Sequence, residues 1–573
     1  WGYKAWEKLI SMSNFEGNAD ESRKLVEGKT CAFNEETQRA EEAIRKPVKQ
    51  GVAYLDARKL YEQAEQMPDG PERKKKWREA AASYKVALDA APDRDEAPEA
   101  AMNGAYAYKQ VGEYDKAIEM YELFIARYGS NDKLEKLQKG DPNAKPPAPA
   151  EPKKYEERVK YLKNAYDALA GAYVLFFNYP RAAETFDKIS DNPNFEQGGR
   201  RESARQALGL YASLGDRGGM QRTRERMIKL GASPKEVAEA DFIVASAELK
   251  KWDPFSPDEG SNETARRATG RVMETYYDAY KGNPGAEQYA VQASYWVART
   301  KKAGATGDTY KWWLSTIAAF EKWKKVAPQE GGRNSALGSR EAGMAAEAEY
   351  AMLDDAIASK YDYETGHHRY AGTSVEVVKQ YARDAIEAKD WYDKLQHVID
   401  NYLSPEWTVA ALSRQGSLYD SLRTGLYNTR PPALKMFDQK QEAALKRAEN
   451  SDNADLQEKA DQIRVSVQTA WRTKRDQELD SADSIMVDRY ANSVVGGRRY
   501  NVSGPPVVRA IRRLAFVTEL IGEAKMKQFT VGVKELNYTE GMFLRMRPGQ
   551  SSTPPPDAMP EPLPVMSGEP AAP

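Results

Sequence analysis

Apolar residues recur along most of this chain at three- and four-residue intervals, the spacing of a helix with one buried face. Small and large residues also alternate within that pattern. From Pro98 to Gly129, a first predicted helix carries Gly104, Ala105 and Tyr108. Val111–Gly112–Glu113 breaks it, and a second helix carries Tyr114, Ala117, Tyr121 and Phe124. Small residues stand where two helices must approach, and large ones where the next helix fills the groove. Lys163 to Pro193 repeats the scheme, with Leu169, Ala170 and Tyr173 on one helix and Ala182, Phe186 and Ile189 on the next. Ala80, Tyr84, Ala87 and Pro92 echo the second half of an earlier unit.

The unit is a helix–turn–helix, so the expected class is all-α, with hairpins stacked side by side. Five segments follow: an N-terminal helical segment over 1–60, repeat units over 61–200, degenerate helical repeats over 201–330, long helices over 331–546 and a Pro-rich tail over 547–573. The insertion at 130–155 holds Pro146, Pro147, Pro149 and Pro152, which forbid a continuous helix. It is expected to be a solvated loop. Ser233 and Pro234 mark a helix start, as does Pro405 before Glu406 and Trp407. Gly496 and Gly497 are expected to break a helix. The tail cannot form a core and is expected to be disordered or partly polyproline-like.

Composition narrows the function classes. Acidic and basic residues nearly cancel, 86 against 85, and mean hydropathy is −0.76. That balance argues against a general nucleic-acid binder. No apolar run approaches the roughly 18 residues of a membrane span. Cys31 is the only cysteine, which excludes an intramolecular disulfide and any multi-cysteine metal site. The three histidines, His367, His368 and His397, fit no metal-ligand spacing. No phosphate-cradling or dinucleotide-binding glycine motif occurs in a strand-to-helix setting. No metal or cofactor is expected, and no catalytic residue can be nominated.

Two basic stretches stand out. Lys74, Lys75 and Lys76 precede Trp77 and read as a solvated helix start. Arg509, Arg512 and Arg513 share a segment with an apolar face; packing of a last amphipathic helix is the simpler reading, and docking to a membrane surface or a partner helix the sharper one. Arg498 and Arg499 could meet an anion, without a companion motif to support it. Trp296, Trp312, Trp313 and Trp323 read as mortar between helices. The alternative makes Trp312 and Trp313 an exposed aromatic surface.

The 98–129 and 163–193 units resemble the tetratricopeptide repeat. That resemblance implies a superhelix whose first helices line a groove for a peptide or helix of another protein. Carried over, the groove positions are Glu99, Met102, Tyr106 and Lys109 in one unit and Asn164, Asp167 and Val174 in the next. Gly171 takes the place of Tyr106 in the second.

The C-terminal half looks like a segment of large tetratricopeptide proteins from gliding delta-proteobacteria. Trp407, Thr408, Ala410, Ala411, Leu412, Leu426, Tyr427, Pro431 and Pro432 carry the likeness. It implies a non-catalytic scaffold or adaptor in a cell-envelope assembly serving gliding motility, with other proteins of that assembly as partners. The implied location is periplasmic or outer-membrane associated, with the cytoplasm as the alternative. The chain begins at Trp1, and a segment before it, cleaved or trimmed, is expected. Two other functions compete: a polysaccharide-binding envelope protein that uses its tryptophans as stacking platforms, and an enzyme without a recognisable motif.

Overall fold

The computed structural model describes residues 2–15, 19–28, 35–361, 369–431, 433–533 and 536. Cys31, His367, His368, Pro432 and the 547–573 tail lie outside them, so the expectations for those residues are not addressed. The described residues are predominantly helical. They fall into two compact units, Trp1–Ala247 and Glu248–Pro573.

The first unit opens with α1 (Gly2–Phe15) and α2 (Ala19–Glu27), which pack on the start of α3 (Glu35–Gln66). Hairpins then follow in order: α3 with α4 (Pro71–Ala90), and α5 (Ala97–Gln110) with α6 (Tyr114–Tyr128). After α7 (Asn131–Lys139) come α8 (Pro152–Leu175) with α9 (Tyr179–Asp191), then α10 (Gln197–Leu214) with α11 (Arg217–Lys229). The last helix, α12 (Pro234–Ser246), packs on that final hairpin. Apart from α7, which packs on α8, each helix from α2 onward touches its predecessor, which is the arrangement of a tetratricopeptide-like stack.

Small residues make this stacking close. Gly104 on α5 faces Met120 and Tyr84; a Cβ there would stand 2.7 Å from the Met120 methyl carbon. Ala80, Ala101, Ala105, Ala165, Ala170 and Ala182 are fully buried at the other crossings. Three hairpins share one turn. The backbone N–H groups of Glu113, Asn178 and Asp216 donate to the carbonyls of Tyr108, Tyr173 and Tyr211 respectively. The residue before each, Gly112, Phe177 and Gly215, is left-handed, with φ of 81°, 56° and 71°. The 197–229 hairpin therefore keeps the repeat's geometry although its sequence has drifted.

The 130–155 insertion is a solvated loop in its proline-bearing part, where 145–150 are exposed, but not in its first part. It contains α7, anchored by buried Leu134, and a bridge between Asp141 and Ala148. Pro152 then sits in the first turn of α8, where its missing N–H costs nothing. Ser233 and Glu236 form a reciprocal capping box at the start of α12.

The second unit begins with a short 3-10 turn, Leu249–Lys251, and the pairs α13 (Gly260–Tyr280), α14 (Glu287–Ala303), α15 (Thr309–Val326) and α16 (Arg340–Tyr361). Longer helices follow: α17 (Ser374–Tyr402), α18 (Pro405–Tyr427), α19 (Gln439–Glu449), α20 (Ala454–Arg499), α21 (Pro505–Ile521) and α22 (Glu523–Thr530). Two-residue strands β1 (Gln329–Glu330) and β2 (Arg333–Asn334) pair antiparallel. β3 (Gly372–Thr373) and β4 (Leu434–Lys435) pair in parallel.

Helix α18 lies at the centre of this unit, against α16, α17, α20 and α21. Gly496 and Gly497 do not break a helix, contrary to expectation; both lie inside α20. Glycine at 497 leaves room for Val507 and the Val502 carbonyl, each 3.0 Å from where a Cβ would sit.

Candidate partner-binding face of the first unit

Helix α5 buries Ala97, Ala100, Ala101, Gly104, Ala105, Ala107 and Tyr108 against its neighbours. Its remaining face carries the positions expected to meet a partner. Glu99 and Met102 are half-buried, while Tyr106 and Lys109 are exposed. Successive first helices of the hairpins touch, α3 with α5 and α5 with α8, so these side chains share one side of the stack.

Tyr106, 42% exposed, tops an aromatic cluster built from three helices. Its ring centroid is 5.8 Å from Trp77 on α4 and 6.2 Å from Tyr61 on α3. Tyr61 meets Trp77 edge-on at 4.9 Å. Burial pushes the Tyr84 hydroxyl beneath them up to about 12, so it stays protonated at neutral pH. Arg58 donates to Glu62 at 3.0 Å, and that bond, with Glu99 nearby, holds its guanidinium firmly charged. An aromatic knob beside a partly paired arginine and carboxylates can take both apolar and polar groups of a partner chain.

On α8, Asn164, Asp167 and Val174 are exposed, and Asp167 is engaged by the Lys163 ammonium at 2.9 Å. Gly171 stands where α5 has Tyr106, and Gly209 holds that place on α10. The shared turn fixes this register: Tyr106–Ala107–Tyr108 matches Gly171–Ala172–Tyr173 and Gly209–Leu210–Tyr211. A Cβ on either glycine would meet nothing within 4 Å. Gly209 escaped the sequence reading, although the recurrence of glycine two residues before tyrosine was there to be read. Tyr61 and Trp77 also escaped it, because they lie on different helices from Tyr106.

At the turn after α8, Leu175, Phe176 and Phe177 are exposed, Phe177 at 77%. Phe176 packs edge-on against Tyr114 at 5.5 Å. Nothing in sequence marks Phe177 as left-handed, because phenylalanine is a poor residue for that conformation.

The proposed aromatic surface at Trp312 and Trp313 is corrected: both are buried. Trp312 meets Tyr277 edge-on at 5.3 Å, and Trp313 lies 5.9 Å from Tyr295. Their large rings fill helix crossings, which leaves no face for stacking on a sugar.

Acidic side chains in the second unit are mostly spoken for. Glu347 accepts from Tyr295 and Arg299. Glu349 accepts from Tyr402 at 2.6 Å and lies 3.0 Å from the Nδ1 of His397. Burial, reinforced by the charge of Glu347, raises Glu406 above the usual carboxylate range. No group of metal-ligating side chains gathers among the described residues. Among them, too, no helix is long and apolar enough to cross a membrane.

No known family model matches the chain, and no curated protein does. Solved structures share its helical character at low similarity. One is described as Naa15/Naa10 bound to HypK-THB, at 12% identity, covering 90% of this chain and 83% of that one, with a TM-score of 0.17. Another is a circular tandem repeat protein with a novel repeat topology, at 12% identity, covering 92% and 96%, with a TM-score of 0.14. The class rests on the helices themselves: an all-α stack of tetratricopeptide-like hairpins, followed by a second helical unit.

Proposed function

We propose that this chain is a non-catalytic scaffold that holds a segment of another protein against the first helices of its N-terminal hairpins. The observation carrying this reading is the step from Tyr106 to Gly171 and Gly209 at one structural position. An aromatic anchor at one end gives way to two open positions, where a partner backbone can approach the helices. Mid-helix glycine costs each helix about 1 kcal/mol relative to alanine. Internal packing does not need it at either place.

The cell-envelope assembly, its gliding role and a periplasmic or outer-membrane location extend the same proposal. Their support is the likeness carried by Trp407 to Pro432. Affinity purification of the chain from its native cells tests both levels. The proposal expects envelope proteins to be recovered and to be lost from a Tyr106→Ala, Gly171→Trp double variant. Recovery of cytosolic chaperones alone, unchanged in that variant, would count against it.

A further inference from the structure

Helix α21 carries a feature that the scaffold reading leaves unused. One face, Ala510, Leu514, Ala515, Val517 and Thr518, is buried against α18 and α20. The other face mixes apolar and charged side chains. Val508, Phe516 and Leu520 are 39%, 44% and 40% exposed, and Arg512 is exposed between them. These four residues are spaced by four, so they run in single file along the outside of the helix.

The charge around this file is one-sided. Between residues 489 and 518 there are six arginines and no acidic residue, in a chain whose formal net charge is −1. Arg513 pairs with Asp420, and Arg489 lies beside Asp488 and over the Tyr392 ring. Arg498, Arg499 and Arg512 are exposed. Val507 would stand 3.0 Å from a Cβ on Gly497, so the last turn of α20 abuts the first turn of α21. That contact brings Arg498, Arg499 and the exposed Tyr500 to the Val508 end of the file. Glu519 is the one acidic residue of α21 and lies at the far end, with Glu523 just beyond.

We propose that the outer face of α21, with the Arg498–Tyr500 corner, docks on an anionic lipid surface. The apolar file would enter the headgroup boundary while the arginines meet phosphates, with the Val508 end seated more deeply than the Glu519 end. A nucleic acid would match the arginines but leave the three apolar side chains uncovered. A rigid acidic protein would need a trough shaped to a convex helix, whereas a fluid headgroup layer deforms around it. This is peripheral attachment and needs no spanning segment. It is independent of the N-terminal face described above.

The test is co-sedimentation of the full chain with vesicles of phosphatidylcholine alone and with about one-third phosphatidylglycerol. Basic residues near such a surface contribute about fivefold each. Binding to the anionic vesicles is expected to be at least about tenfold tighter, and to weaken as salt is raised. Arg512→Glu is expected to weaken it about tenfold or more. A Val508→Ser, Leu520→Ser variant should lose a similar factor while melting at an unchanged temperature. Equal binding to both vesicles, binding to neither, or an unaffected Arg512→Glu variant would overturn the proposal. Retention on poly-glutamate beads without vesicle binding would assign the face to an acidic protein instead and equally overturn it.

Discussion

Helices α5 and α18 are surrounded in opposite ways. Helix α5 packs one side with alanine and glycine and leaves Tyr106 and Lys109 to solvent. Helix α18 is buried from Val409 to Arg423 without a break, including Ser413, Arg414, Gln415, Ser417, Asp420, Ser421 and Arg423. A helix enclosed on every side must find partners inside the protein for the charges it carries. Asp420 receives two bonds of 2.6 Å from Arg513 and one of 3.2 Å from Tyr490, and Arg423 donates to Asp483 at 2.7 Å. The difference teaches a division of labour: the N-terminal hairpins keep a face open, whereas the second unit closes around its own charges. Buried charge that is satisfied internally has nothing left with which to grip a partner.

This contrast can be broken most forcefully at Arg513. Replacing it by methionine strands the Asp420 carboxylate, and about 3–5 kcal/mol of stability should be lost from the second unit. Denaturant unfolding followed by hydrogen exchange should show that loss there, with the 98–129 hairpin still protected.

Gly416→Ala places a Cβ 2.8 Å from the Tyr490 ring and should cost about 1–3 kcal/mol in the same unit. The opposite sign is expected on the open face. Phe177→Gly relieves a left-handed phenylalanine and should stabilise the first unit by about 1 kcal/mol in thermal melts. Gly171→Ala, with nothing near its new methyl group, should stabilise α8 by just under about 1 kcal/mol.

Acid provides the smallest contrast. Hydrogen bonds from the backbone and side chain of Ser233 lower the Glu236 carboxyl below its ordinary value. Its contribution is therefore present above the unfolded value, roughly 4.3, and is lost as pH falls through the folded one. Burial instead raises Asp483, against the pull of Arg423. Its contribution is full below roughly 3.9 and is lost as pH rises through the folded value. As pH falls below roughly 4.3, Glu236→Gln should progressively cease to matter, and Asp483→Asn should likewise matter least at the acid end.

The hairpins at 98–129 and 163–193 were legible because small and aromatic positions agreed together, a signal that apolar periodicity alone does not give. The turn at Phe177 was not, since left-handed backbone is announced by glycine or asparagine. Gly496 and Gly497 misled because sequence shows a helix-weakening residue and not the Val507 side chain that needs the space. The enclosure of α18 was hidden for a related reason: its serines, arginines and aspartate look like a solvated face until α20 and α21 are placed around them. On the binding face, Tyr106 and Gly171 could be aligned from the repeat, but the union of Tyr106 with Tyr61 and Trp77 depends on three helices meeting.

The account stands on the first helices, rather than the outer ones, receiving the partner. Photo-crosslinking from the native cell measures that directly, with a photoreactive residue placed at Tyr106 or Asn164 on the inner face, or at exposed Val86 on α4. The account predicts one shared partner captured from positions 106 and 164, absent at 86, and lost from both when Gly171→Trp is added. Equal capture from position 86, or capture indifferent to Gly171→Trp, would contradict it.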